Sequence, residues 1–173
     1  MPFMISRGMK VLAIITTVSL TALQAREAWV VREDGIGPVR VGMTLSQLNI
    51  VLQEKFSLPK DKEDQSCFYV RLTKHPGIAL MIENGRLSRV DVDLPGISTT
   101  EGVQVGDSEE HALRVYGGKL KVEPHAYTGP DGHYLTLRSR DGRYGIRFEA
   151  YQGKIQTFYA GRFKAVQYIE GCQ

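Results

Sequence analysis

No apolar run in this chain reaches the roughly 20 residues that a membrane-spanning helix requires. The stretch at residues 11–20 (VLAIITTVSL) is about half that length. Cysteine is scarce, with only Cys67 and Cys172, which excludes a cysteine-dense scaffold and a zinc site built on thiolates alone. There is no H-x-x-x-H or C-x-x-C spacing, and no glycine-rich loop leading from a strand into a helix, so metalloprotease-type and nucleotide-binding chemistry have no support. Blocks of like charge and low-complexity runs are missing as well, which leaves no signature of a flexible tail or linker.

What is present begins with a leader. Arg7 and Lys10 precede the apolar run, and small residues follow it up to Ala25, so residues 1–25 are expected to be a secretory signal peptide. The remaining 148 residues are enough for one ordinary domain or two small units sharing a core. They carry 20 basic and 19 acidic side chains, so the formal charge of the whole chain, +3, falls to +1. Near neutrality argues against a nucleic-acid partner, which demands a clustered basic surface. Export to the periplasm or outside the cell favours a Cys67–Cys172 disulfide. Two free thiols or an intermolecular bridge are the alternatives.

The body of the chain states its pattern twice. Val39-Arg40-Val41-Gly42-Met43-Thr44 returns 64 positions later as Val103-Gln104-Val105-Gly106-Asp107-Ser108. Gly77-Ile78-Ala79-Leu80, leading to Asn84-Gly85-Arg86-Leu87, returns 68 positions later as Gly145-Ile146-Arg147-Phe148, leading to Gln152-Gly153-Lys154-Ile155. Thr44 with Gln47 reads as a capping box, followed by Leu45, Leu48 and Leu52 at helical spacing. Ser108 caps the second helix, Glu109 and Glu110 sit in its first turn, and Gly117-Gly118 ends it. Loops at residues 57–65 and 123–132 then lead into alternating strands. In the first copy these are residues 67–72, a strand with Ile78, Leu80 and Ile82 on one face, and residues 87–94. In the second they are residues 133–138, a strand with Ile146, Phe148 and Ala150 on one face, and residues 155–161. Asn84-Gly85 is a type I′ hairpin signal. The expected fold is α+β: two tandem helix-plus-three-stranded antiparallel repeats, residues 26–97 and 98–173, with both helices on one sheet face.

At Gly42-Met43-Thr44, followed by an amphipathic helix, the chain resembles the GMT-motif small bacterial envelope proteins. These include the BamE/SmpA-like assembly lipoproteins and the tandem beta-lactamase-inhibitory-protein-like group. It is closer to secreted bacterial proteins with a GxGPVRxGMT start, here residues 35–44. The resemblance implies an exported protein that binds another protein. There is no lipid-attachment cysteine near the leader, and the cysteines fall one per copy. No partner-binding residue of these groups matches a position here.

Reactive side chains do not assemble in the sequence. Gly106-Asp107-Ser108 superficially matches the GDS block of secreted esterases, but no Asp-x-x-His follows and the first copy has Thr44 in that place. His75, His111, His125 and His133 show no ligand spacing. His125 and His133 flank a turn and could approach each other beside Tyr127, which is the basis for an alternative reading as a small-ligand, lipid or metal-binding protein. Asp91 and Asp93 share a strand face that reads as solvated. Alternation places Tyr69, Arg71, Met81 and Arg89, then Tyr134, Arg147 and Tyr159, opposite the helix-packed side. Tyrosine and arginine combine contact area with polar tips. The expected binding residues are therefore Tyr69, Arg71, Arg89, Tyr134, Arg147 and Tyr159, presented as an open platform to another envelope or secreted protein. No cofactor and no catalytic residue is expected.

Overall fold

The computed structural model describes residues 29–172; the leader expected at residues 1–25 lies outside them. The described chain opens with a small antiparallel sheet of two-residue strands, β1 (Val31–Arg32), β2 (Gly35–Ile36) and β3 (Val39–Arg40). Only an extended run at residues 38–41, which contains β3, was expected here; the sheet itself was not, because a strand of two residues is too short to show alternation. Its Val31, Ile36 and Val39 are nevertheless fully buried and join the main core.

Helix α1 (Leu45–Leu52) begins where the sequence places it. Thr44 N–H donates to Gln47 Oε1 at 2.9 Å, and the Thr44 hydroxyl accepts from Gln47 N–H at 3.3 Å, closing the capping box. Leu48 and Leu52 are buried against the sheet. Strands β4 (Cys67–Arg71), β5 (Ile78–Glu83) and β6 (Arg86–Val92) follow as an antiparallel meander. Asn84 and Gly85 both have positive φ, 50° and 74°, as a type I′ turn needs.

Helix α2 (Glu109–Tyr116) is capped by Ser108, whose hydroxyl accepts from His111 N–H at 3.1 Å, and it ends at left-handed Gly117. Four strands come after it: β7 (Lys121–Pro124), β8 (Gly132–Arg138), β9 (Tyr144–Tyr151) and β10 (Lys154–Arg162). Three strands were expected. The additional β7 starts ahead of the expected loop and takes in Glu123 and Pro124 from it. It escapes a pattern reading because it buries no apolar face as it pairs along the β8 edge.

All seven long strands form one antiparallel sheet in the order β4-β5-β6-β10-β9-β8-β7. The two meanders join at a β6–β10 seam, where Val92 pairs with Phe158 and Arg89 with Gly161. Gly161 is required there, since a Cβ would run into the Ser88 carbonyl oxygen and lie 2.7 Å from Arg89 Cα. Each helix start is tied to the opening of an inner strand in the same way. Gly42 N–H donates to Leu87 O and Leu87 N–H to Met43 O; Gly106 N–H donates to Ile155 O and Ile155 N–H to Asp107 O. Both helices lie on one sheet face, and Phe68, Leu80, Val90, Leu135, Phe148 and Phe158 meet them in a single core.

Candidate functional site

The face opposite the helices is where the expected binding residues fall. In-register pairs carry it across the sheet: Tyr69 beside Met81 and Met81 beside Arg89, then Asp91 beside Tyr159, Tyr159 beside Arg147, and Tyr134 beside Glu149. This face is not an open platform. Arg89, Tyr134, Arg147 and Tyr159 are only 4, 5, 6 and 3% exposed, and Met81 is fully buried. Tyr69 and Arg71 alone among the six remain accessible.

The cover has two parts: the C-terminal segment over Arg89, and the residue 124–131 loop, whose His125 stacks on Tyr134. After β10 the chain makes a short 3-10 turn at Ala165–Gln167 and runs to Cys172, which is bonded to Cys67 at the start of edge strand β4 (S–S 2.04 Å). A tail leaving a central strand and ending on an edge strand must cross the strands between. The helices already occupy the other face. Residues 163–172 therefore lie over the polar face, with their Ala165 and Val166 buried against it.

Beneath the tail, charges saturate one another. Arg89 grips Asp91 with two hydrogen bonds, 2.7 and 2.8 Å, and donates to Tyr69 Oη at 2.7 Å and to the Ala165 carbonyl at 3.0 Å. Its guanidinium lies 4.2 Å from the Tyr159 ring centroid. Burial works against the Arg89 charge, but the Asp91 carboxylate outweighs it and raises its pKa. Burial also pushes the Asp91 carboxyl above the usual carboxylate range, against the pull of Arg89. The Tyr69 phenol is pushed up to about 12 by burial and then by Asp91, and Tyr159 is raised by burial and by Glu149. Asp91 is thus not on a solvated face as expected; Asp93 is, pairing with Arg71 at 2.8 Å.

The network continues to the other side. Tyr159 Oη donates to Glu149 Oε1 at 3.0 Å. Tyr127 N–H donates to His125 Nδ1 at 3.1 Å, which places the ring proton of neutral His125 on Nε2, facing Glu149 Oε2 at 3.4 Å. His125 stacks on Tyr134, and Arg147 sits over that ring from 4.8 Å while donating to Thr136 Oγ1 at 2.8 Å. His133 does not approach His125, because it points to the helix side and meets Glu109 at 3.0 Å. Among the described residues no group of three or more His, Cys, Asp or Glu is placed to hold a metal ion. Such a network rigidifies a fold, and its carboxylates are already engaged by cations, phenols or an imidazole.

Sequence reasoning named Tyr127 only as a neighbour of His125 and His133, and did not foresee it beside Ile169 on the outer surface. Tyr127 is 66% and Ile169 50% exposed, flanking a shallow groove of about 390 Å³ lined also by Tyr168 and Glu170. The Tyr127 hydroxyl donates to the Glu170 carboxylate, linking the residue 124–131 loop to the tail. Cys172 was the available signal, since its partner on an edge strand already implied a tail laid across the sheet. An open cleft of about 590 Å³ lies elsewhere between Glu33, Glu101 and residues 139–143. Burial, Glu101 and Asp34 raise the Glu33 carboxyl there.

No helix among the described residues is long and apolar enough to cross a membrane. No protein-family model, curated protein or solved structure matches this chain.

Proposed function

We propose that this chain is a non-enzymatic protein-binding module of the bacterial envelope or exterior, acting as an inhibitor of a hydrolase or as immunity against an envelope-acting toxin. The two halves of the pattern, residues 26–97 and 98–173, are taken as an internal duplication whose shared residues serve shape. The observation that carries the reading is the exposed Tyr127–Ile169 pair: Ile169 stands on a tail that the Cys67–Cys172 bond staples to the sheet, and Tyr127 stands on the residue 124–131 loop hydrogen-bonded to that tail through Glu170. Exposed aromatic and aliphatic groups on a rigid support need little ordering on association, which favours affinity. Tyr69, one of the six expected binding residues, lies beside Gly171 of the same tail, and exposed Arg71 follows it two residues along β4 and extends the surface. Arg89, Tyr134, Arg147 and Tyr159 are assigned to supporting it from below.

Crosslinking of the full chain in the envelope of cells that make it should capture a defined protein. Tyr127→Ala with Ile169→Ala should weaken that capture about tenfold or more, the scale of interface hot spots, with Tm unchanged. Equal capture by the double variant would remove this surface from the reading.

A further inference from the structure

A second surface stands apart from the tail face. At the end of the sheet where β6 begins and β10 finishes, two shallow grooves adjoin, of about 520 and about 430 Å³, and share Arg162 and Lys164. Arg138 and Arg143 line the first, and Arg86 lines the second. No carboxylate among the described residues pairs with Arg86, Arg138, Arg162 or Lys164.

Two of these cations are positioned in advance. The Arg138 guanidinium stacks on the Phe163 ring at 4.3 Å, with Nε donating to the Gly142 carbonyl at 3.2 Å. Arg86 Nη1 donates to the Gly42 carbonyl at 2.9 Å. Arg143 is the exception in its pairing, bound to Asp141. Glu83, which lines the second groove, accepts from Tyr168 Oη at 3.0 Å and from Ser88, and its one negative charge stands against four cations, Arg86, Arg138, Arg162 and Lys164. This end of a chain with a formal charge of only +3 is therefore locally positive.

We propose that these grooves bind an acidic, extended segment of a partner protein. Its carboxylates would meet the arginine forks, and its intervening apolar side chains would rest on Val41, Tyr144 and Phe163. The inference rests on the reading of the chain as a protein binder, and names the chemistry of a second contact. Arginine presents a planar fork that matches a carboxylate bidentately, which accounts for the charge. The apolar floor distinguishes the occupant: a free phosphate would leave it wet, and a flat anionic membrane would not enter the grooves. A nucleic-acid strand calls for a longer basic track than one end of this sheet offers.

The test uses the full disulfide-bonded protein and a fluorescent synthetic peptide in which glutamates flank single phenylalanines. Saturable binding should weaken with added salt and fall about tenfold or more in Arg162→Glu with Lys164→Glu, both exposed positions. Arg138→Gln should weaken it to a smaller degree, and serves if the double reversal does not fold. The Tyr127→Ala, Ile169→Ala protein should bind the peptide unchanged. No saturable binding, or binding indifferent to both sets of substitutions, overturns the proposal. So does equal competition at these residues by inorganic phosphate, oligothymidine or anionic phospholipid vesicles. Partner capture through Tyr127 and Ile169 without peptide binding sinks this surface alone. Peptide binding with capture indifferent to those two residues sinks only the tail site.

Discussion

At the scale of single residues, Arg89 shows how a side chain selected for contact came to serve the interior. Its alternation on β6 put it on the polar face correctly. Yet it is buried, with its donors divided among Asp91, Tyr69 and the Ala165 carbonyl. Removing one partner of a buried ion pair leaves the other charge uncompensated, which costs more than the pair itself contributes. Asp91→Ala should lower unfolding free energy by roughly 3 kcal/mol in urea denaturation, and a loss near zero would mean that Arg89 is solvated. Asp141 illustrates the opposite environment. Its exposed carboxylate accepts from Ser139 Oγ, and from Arg143 Nε and N–H, which hold its pKa down to about 2 from 3.8. Because the folded value is depressed, the turn contributes stability above 3.8 and loses it as pH falls towards 2. A carboxyl NMR titration should place the Asp141 midpoint near 2; a midpoint near 3.8 would show that the turn is not formed.

At the scale of elements, local chemistry and pairing were legible to different degrees. Both helices begin at the capping residues read from the sequence, because Thr44 and Ser108 act on backbone within three residues of themselves. The Asn84-Gly85 turn is local in the same sense. Strand β7 was not legible, since it presents no alternating burial to detect. Nor was the seam, because what pairs with β6 depends on residues some 70 positions away. Glycine at 161 records that seam. Gly161→Ala would force β6 and β10 apart at the Ser88 carbonyl, and should cost on the order of 2 kcal/mol or more, read as a lower Tm. An unchanged Tm would mean the two strands do not meet as described.

At the scale of the molecule, the Cys67–Cys172 bond decides which surfaces exist. It closes a separation of 105 residues and anchors the tail over the polar face. In the chain-entropy account a loop of this size contributes about 4–5 kcal/mol, with engineered comparisons often smaller. Cys67→Ser with Cys172→Ser should therefore lower Tm, and hydrogen exchange should accelerate in residues 163–172 ahead of the helices. Exchange there unchanged from the bonded protein would show that packing of Ala165 and Val166 alone holds the tail.

The amino-acid order by itself determined where the helices start, the strands that alternate with period two and the Asn84-Gly85 turn, since each depends on neighbours along the chain. It favoured the Cys67–Cys172 bond, which the tertiary structure then placed. Which edges of the meanders fuse, and what lies over the second face, were decided only in three dimensions. Alternation states that Arg89, Tyr134, Arg147 and Tyr159 face away from the helices, but it carries no information about whether water or a returning segment meets them. That depends on where residues 163–172 and the residue 124–131 loop come to rest, and both paths are set by the completed sheet they lie on.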